Sequence, residues 1–384
     1  MPDSQSSPLG RYFDHNGSTP LHPDVLRLCQ ELSAAEWGNS AASHPMGQGA
    51  SKIIEEARAS LAVTLHATPE ELFFTSGGTE SNNWALFGVA ATRLSGHIVV
   101  SGIEHKSVLN AARELQSRGY DLTVVPPRED GAVHLRDLQS ALTDETFLVS
   151  IMWANNETGV CQPVREIASL CRKRNILFHC DAVAAMGKML IHLDEVECDL
   201  LSISGHKFHA PKGIGLLFIR KGTPIKPLFY GCGHQNGMRS GSQNTVATAA
   251  MARAADLILP DAAHVESRRL QLWNGIHDLC PSAQRNGGGG LLPNTLNVHF
   301  PGTPSSKLQA ELASRGFSVA AGASASKGDA SHVLLAMGLD HARAASSIRF
   351  SLGATTSFKE IEDLLKHLSA SLDAIEATQP AEMA

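Results

Sequence analysis

Between about residues 70 and 220, short apolar runs alternate with stretches whose apolar positions recur every three or four residues. The runs are Ile98–Val100, Leu122–Val125, Phe147–Met152, Ile176–Phe178, Leu200–Ile203 and Gly215–Ile219, and an earlier one ends at Phe74. Helical spacing fills Leu135–Leu142 and Val164–Arg174 between them. Short unbroken apolar runs suit strands covered on both faces. Strands alternating with helices predict an α/β fold with a mostly parallel sheet between helices. Such sheets hold their ligands at the carboxyl ends of the strands, so the polar residues that follow each run are the ones to inspect.

A second region starts near Leu257. It has helical stretches at 263–279 and 306–315, a Gly/Pro-rich connector at Asn286–Pro293 and an amphipathic helix at 358–376. This pattern predicts a smaller α+β unit, and residues from Ala377 to Ala384 read as a frayed tail. The expected division is a large domain, 16–256, and a small one made of 1–15 with 257–384. A chain of 384 residues suits two such units and can bury its core without disulfides or metals.

Composition narrows the partners. The chain is 43% hydrophobic and 18% charged, with a formal net charge of −6 and no long basic run. That argues against nucleic acid and against an anionic membrane surface. No apolar stretch approaches the roughly 20 residues that span a bilayer. Met1–Gly10 is polar, without the apolar core of a signal peptide or an Arg-rich pattern, so a cytoplasmic protein is expected. The cysteines at 29, 161, 171, 180, 198, 232 and 280 form no CxxC pair, and no histidine belongs to an HExxH motif. Neither a structural metal nor a disulfide scaffold is expected.

Candidate chemistry follows three of the apolar runs. After Phe74 comes Thr75-Ser76-Gly77-Gly78-Thr79-Glu80-Ser81-Asn82, then a helical pattern. Small residues between a strand and a helix expose backbone N–H groups, which suits a phosphate, although a simple tight turn reads the same way. Phe178-His179-Cys180-Asp181 ends another run with a carboxylate that suits a helix cap or a protonated ring nitrogen. Ser202-Ile203-Ser204-Gly205-His206-Lys207 places a lysine straight after a buried run. Burial lowers a lysine's pKa and makes its amine nucleophilic, as Schiff-base chemistry requires. Together these are the parts needed to hold pyridoxal 5'-phosphate.

With these parts in place the sequence resembles the class V aminotransferase family, and within it the cysteine desulfurases. The matching segments are Tyr12–Pro20, Gly38–Ser40, Thr75–Asn83, Glu104-His105, Asn155–Gly159, Asp181–Val183, Ser204–Lys207, Met238–Ser242 and Ile348–Gly353, in family order. The resemblance implies the pyridoxal-phosphate fold of type I: a large domain with a mostly parallel mixed sheet, plus a smaller C-terminal one. It makes Lys207 the tether, bound to the cofactor as a Schiff base, and the carrier of the Cα proton. Asp181 pairs with the pyridine nitrogen. His105 stacks on the ring, with a part in proton transfer. Gly78 and Thr79 bind phosphate with Ser204 and His206. Asn156 lies beside the cofactor. Arg349, with Asn39, clamps the carboxylate of a small amino-acid substrate. Ser242 reaches the phosphate of a neighbouring subunit, which implies a homodimer with shared sites. A sulfur-acceptor protein is a further implied partner.

Three departures stand out. The family's desulfurases carry a nucleophilic cysteine on the loop before a Ser-His-Val-Leu helix. Here that helix starts at Ser331, the loop is about two residues shorter, and Ala325 stands nearest the cysteine's place. Ala184 stands where the family has a glutamine on the cofactor's phenolic oxygen, and Cys232 replaces a loop glycine. Without a thiolate, persulfide transfer has no acceptor of the usual kind. The expected activity is therefore cleavage of a C–S or C–Se bond by β-elimination, which needs no enzyme thiol. The alternatives are a desulfurase using Cys232 or one whose loop cysteine was replaced, a class V transaminase, and a catalytically quiet partner subunit. Retention of Lys207, Asp181 and His105 disfavours the last.

Overall fold

The structure, a computed structural model, describes residues 11–258, 262–321 and 330–377. The loop around Ala325 and the expected tail after residue 377 lie outside the described residues. Seven strands form the large sheet: β1 (Leu72–Thr75), β2 (His97–Ser101), β3 (Asp121–Val125), β4 (Thr146–Ser150), β5 (Leu177–Asp181), β6 (Leu200–Ser204) and β7 (Gly215–Ile219). Their order is β1-β7-β6-β5-β4-β2-β3. Only β7 runs against its neighbours, pairing antiparallel with both β6 and β1. The expected α/β fold with a mostly parallel sheet is what forms.

The strands read as solid apolar runs because both faces of the sheet are covered. Phe73, Ile98, Val100, Leu148, Leu200 and Leu217 pack on one face with Trp84 and Val108. Phe74, Val99, Val149, Phe178, Leu201 and Leu216 pack on the other with Ile54 and Ile167. Side chains one residue apart point to opposite faces, so adjacent residues such as Phe73 and Phe74 enter different cores. Each fully buried Leu or Phe contributes roughly 1.5–3 kcal/mol of transfer free energy. The covering helices are α1 (Pro23–Ala35), α2 (Pro45–Leu65), α3 (Gly78–Ala90), α4 (Lys106–Ser117), α5 (Leu135–Ala141), α6 (Val164–Lys173) and α7 (Thr245–Asp256).

The second region has a three-stranded antiparallel sheet of β8 (Gln284–Arg285), β9 (Thr295–His299) and β10 (Ser347–Ser351), in the order β10-β9-β8. With it pack α8 (Ala262–Leu279), α9 (Ser305–Ser314) and α12 (Phe358–Ala377); the short helices α10 (His332–Ala336) and α11 (His341–Ala345) precede β10. In β10 the alternation is plain. Ile348 and Phe350 enter the core with Val298, Leu312 and Leu364, which turns Arg349 the other way. Phe13 belongs to that same core. The N-terminal segment lies beside β10, where the Ser351 N–H donates to the Phe13 carbonyl (2.8 Å), and then crosses to the large sheet. No helix among the described residues is long and apolar enough to cross a membrane.

Candidate active site

The loops after β1, β2, β4, β5 and β6 converge on a cavity of about 290 Å³. It is lined by Gly78, Thr79, His105, Asn156, Asp181, Ser204, His206, Lys207 and Arg349, nine residues singled out from the sequence. Two others lie elsewhere. Asn39 is exposed and accepts a hydrogen bond from the Ala41 N–H (3.0 Å). Ser242 is exposed on a loop fixed by Arg239, whose guanidinium forks onto Glu80 at the start of α3 (2.9 and 3.1 Å). Cys232 is also outside; it lines a separate cavity with Arg58, His234 and Gln235.

Lys207 closes the short helical turn Gly205–Lys207 after β6. Its Nζ donates to the carbonyls of Asn16 (2.6 Å) and Gly17 (2.7 Å). Burial pushes its pKa down to about 8; the Arg349 charge adds to the shift, and Asp14 and Asp181 oppose it. A larger share of the amine is therefore neutral near physiological pH than for an exposed lysine. Asp181 sits at the end of β5 and is held by Asn82 Nδ2 (2.7 Å) and the Val183 N–H (2.9 Å). Burial raises its pKa above the usual carboxylate range against those hydrogen bonds, so a cation arriving at its free face is favoured. His105 caps α4, and its Nδ1 accepts from the Ser107 N–H (3.1 Å). The neutral ring therefore carries its proton on Nε2, and burial keeps it neutral by lowering its pKa. His206 falls to about 4, again by burial first and then by Lys207.

Arg349 is engaged on both sides. One guanidinium nitrogen donates to the Asn156 carbonyl (3.0 Å) and another to Asp14 Oδ1 (2.5 Å). Sequence reasoning passed over several further residues. Asn82 and Asp14 lay inside quoted segments, so their signal was present without a role. Ser107 follows His105 directly. Glu104 is buried with a pKa raised to about 8 by desolvation, which keeps it protonated beside His105. Lys188 lines the cavity, yet no strand or motif marked it.

The cavity fits pyridoxal 5'-phosphate. The N-terminus of α3 has Gly77 as cap and no side-chain acceptor, which leaves its first-turn N–H groups for a phosphate. A Cβ on Gly78 would sit 2.7 Å from Val183 Cγ2, so the backbone approaches closely there and tolerates no side chain. Asn82 Oδ1 is buried without a partner at the same wall. Lys207 and Asp181 face the cavity as amine and carboxylate.

An α/β sheet with an amine, a carboxylate and a phosphate cradle at its strand ends defines a pyridoxal-phosphate enzyme. The aminotransferase class-V profile matches residues 11–364. A cysteine desulfurase IscS of Clostridium botulinum is 36% identical over 368 residues, covering 93% of each chain. A mitochondrial cysteine desulfurase of Candida maltosa is 36% identical over 381 residues, 96% of this chain and 78% of that one. Among solved structures, a NifS-like protein superposes with a TM-score of 0.89 at 38% identity, covering 94% of this chain and 99% of that one. SspA in complex with cysteine gives 0.82 at 35% identity, over 89% and 98%. The chain belongs to the class V aminotransferase family, and its relatives are cysteine desulfurases. Its cofactor is pyridoxal 5'-phosphate.

Proposed function

We propose that the chain cleaves the C–S (or C–Se) bond of L-cysteine or a cysteine derivative by β-elimination. One observation carries the reading. The cavity keeps its amine, carboxylate, imidazole and guanidinium, while none of its described lining residues is a cysteine, and no cysteine occurs after Cys280. The other thiols are poor substitutes. Burial pushes Cys161 up to about 11 and Cys171 to about 12, and Cys232 lies at the other cavity. The names of the relatives, and cysteine in the SspA structure, support a cysteine-like substrate.

Gly78, Thr79, Ser204 and His206 would hold the cofactor's phosphate and Asn156 would line its ring site; the bound cofactor would supply an electron sink at the substrate's Cα. Arg349 orients the substrate carboxylate through its planar fork. Lys207 Nζ would take the proton from the substrate's Cα. Asp181 would keep the pyridine nitrogen protonated, and neutral His105, with its proton on Nε2, could relay a proton there. The Cβ–S bond then breaks with its electron pair on sulfur. With L-cystine and one water the products are pyruvate, ammonia and cysteine persulfide. With L-cysteine they are pyruvate, ammonia and sulfide. The persulfide leaves more readily, so L-cystine is the better substrate.

A homodimer belongs to the same proposal. What supports it is the exposure of Ser242 away from its own Lys207 cavity, where a partner subunit's cavity can receive it. Asn39 is kept in the substrate clamp on the family resemblance, although in one subunit it lies outside the cavity. The division into 16–256 and 1–15 with 257–384 is part of the proposal too, supported by Phe13 packing with the small sheet. A cytoplasmic setting is supported by seven free thiols, and a sulfur-acceptor protein would take the released sulfur. The test is product analysis with L-cysteine and L-cystine. Pyruvate with ammonia is expected; alanine as the main product rejects β-elimination and favours persulfide transfer.

A further inference from the structure

Lys188 is a buried amine in the cavity that the reading above does not use. It ends the turn that follows Asp181, closed by the Met186 N–H on the Ala182 carbonyl (2.9 Å) and the Lys188 N–H on the Ala185 carbonyl (3.0 Å). Its side chain folds back over that turn, and Nζ donates to the Ala184 carbonyl (2.9 Å). An ammonium has three N–H donors, so one carbonyl leaves most of its capacity unused.

Its electrostatic surroundings are lopsided. Lys207 and Arg349 act on it as like charges. His15, His206 and His209 are the titratable groups that feel it from the N-terminal segment and the turn after β6. Of the nearby carboxylates, Asp181 lines the same cavity and Asp14 is engaged with Arg349; neither forms an ion pair with Lys188. A buried ammonium without a counter-ion is unfavourable, and burial followed by the Lys207 and Arg349 charges pushes Lys188 down to about 7. The cavity thus holds an amine whose pKa lies close to physiological pH, and an anion beside it would favour its charged form.

The chemistry of the cofactor says which anion. Its polar points are the phosphate, the pyridine nitrogen, the aldehyde carbon and a phenolic oxygen. The phenolic oxygen lies on the ring edge between the nitrogen and the aldehyde carbon, away from the phosphate. On the functional reading above, α3, Asp181 and Lys207 take the other three points. Ala184, next to Lys188 in the lining, brings no polar side-chain atom. Asn156 can add a neutral donor, and Lys188 is the remaining cation.

We infer that Lys188 is a cofactor-binding residue whose ammonium donates to the phenolic oxygen of pyridoxal 5'-phosphate and gains its proton as the cofactor fills the cavity. This rests on the assignment of Lys207 as tether. A positive charge beside the ring favours the deprotonated form of the linkage at Lys207. It therefore lowers the pH at which the bound cofactor's absorbance band changes.

The experiment compares the holoenzyme with Lys188→Met, Lys188→Gln and Lys188→Arg. Borohydride reduction and peptide mass spectrometry first locate the cofactor on Lys207 in each; absorbance is then followed against pH. The two neutral variants are expected to shift the midpoint upward by about one pH unit or more, and the arginine variant to stay near the parent value. Unchanged midpoints with the cofactor trapped on Lys207 overturn the inference and leave the functional reading standing. No trapped cofactor in the parent protein overturns both. For neutral variants that do not fold, 15N NMR of the lysine Nζ at pH 8 reads the unsubstituted chain. Lys188 is expected charged with cofactor and neutral after its removal; a charge state indifferent to the cofactor overturns the inference.

Discussion

The two sheets contribute to the cavity in different ways. The large sheet supplies it from the loops after five of its strands. The small sheet supplies Arg349 alone, from the middle of β10. A residue on a strand-end loop can change without disturbing the sheet beneath it. A residue within a strand owes its direction to the pleat, because Ile348 and Phe350 on either side fix the opposite face in the core. On the proposed roles, reaction chemistry would sit on the replaceable part of the fold, and recognition of the α-carboxylate on the rigid part.

Three substitutions sharpen this contrast. Lys207→Ala should have the largest effect: no borohydride trapping, and turnover lower on the order of 10³-fold. The parent apoprotein should take up cofactor faster as pH rises toward about 8 and level off above it, since the neutral amine reacts and Lys207 titrates there. A flat rate from pH 6 to 9 contradicts a tether of that pKa. Arg349→Ala should act mainly through KM, lowering kcat/KM by roughly 10- to 100-fold, because charge-assisted hydrogen bonds contribute about 1.5–3 kcal/mol. A loss confined to kcat, with KM unchanged, would place Arg349 with the reacting groups and erase the division between the sheets. Cys232→Ala should change turnover by less than about twofold and leave the product ratio alone, as for most exposed substitutions. A large loss restores the thiol reading.

The contrast also explains what could be read from the sequence. Asp181, Lys207 and the Gly77-Gly78-Thr79 turn follow apolar runs, so strand patterning alone pointed to them. Arg349 carries no such mark. Its segment, Ser347–Ser351, has a single polar–apolar alternation, and only the family resemblance drew it out. Lys188 was illegible for another reason. Its backbone closes the far side of the turn after β5, past the residues that directly follow the apolar run, and it reaches the cavity by folding back over Ala184. Asn82 became meaningful only when α3 brought it within 2.7 Å of Asp181, a contact across 99 positions of chain. Periodicity reports which face a residue occupies and is silent about such distant approaches.

The pairing of Arg349 with Asp14 has a consequence for how substrates compete. The guanidinium at rest already holds a carboxylate, one belonging to the chain itself. On the proposed reading, an incoming amino acid would displace Asp14 from the guanidinium and replace one carboxylate partner with another. Its affinity is the difference between two ion pairs of similar kind. Small carboxylates that carry nothing else for the pocket would gain little by that exchange. The same exchange frees Asp14, which lies two residues from Asn16, whose carbonyl holds the Lys207 amine. On the proposed reading, arrival of a substrate would be felt along that short piece of backbone at Lys207.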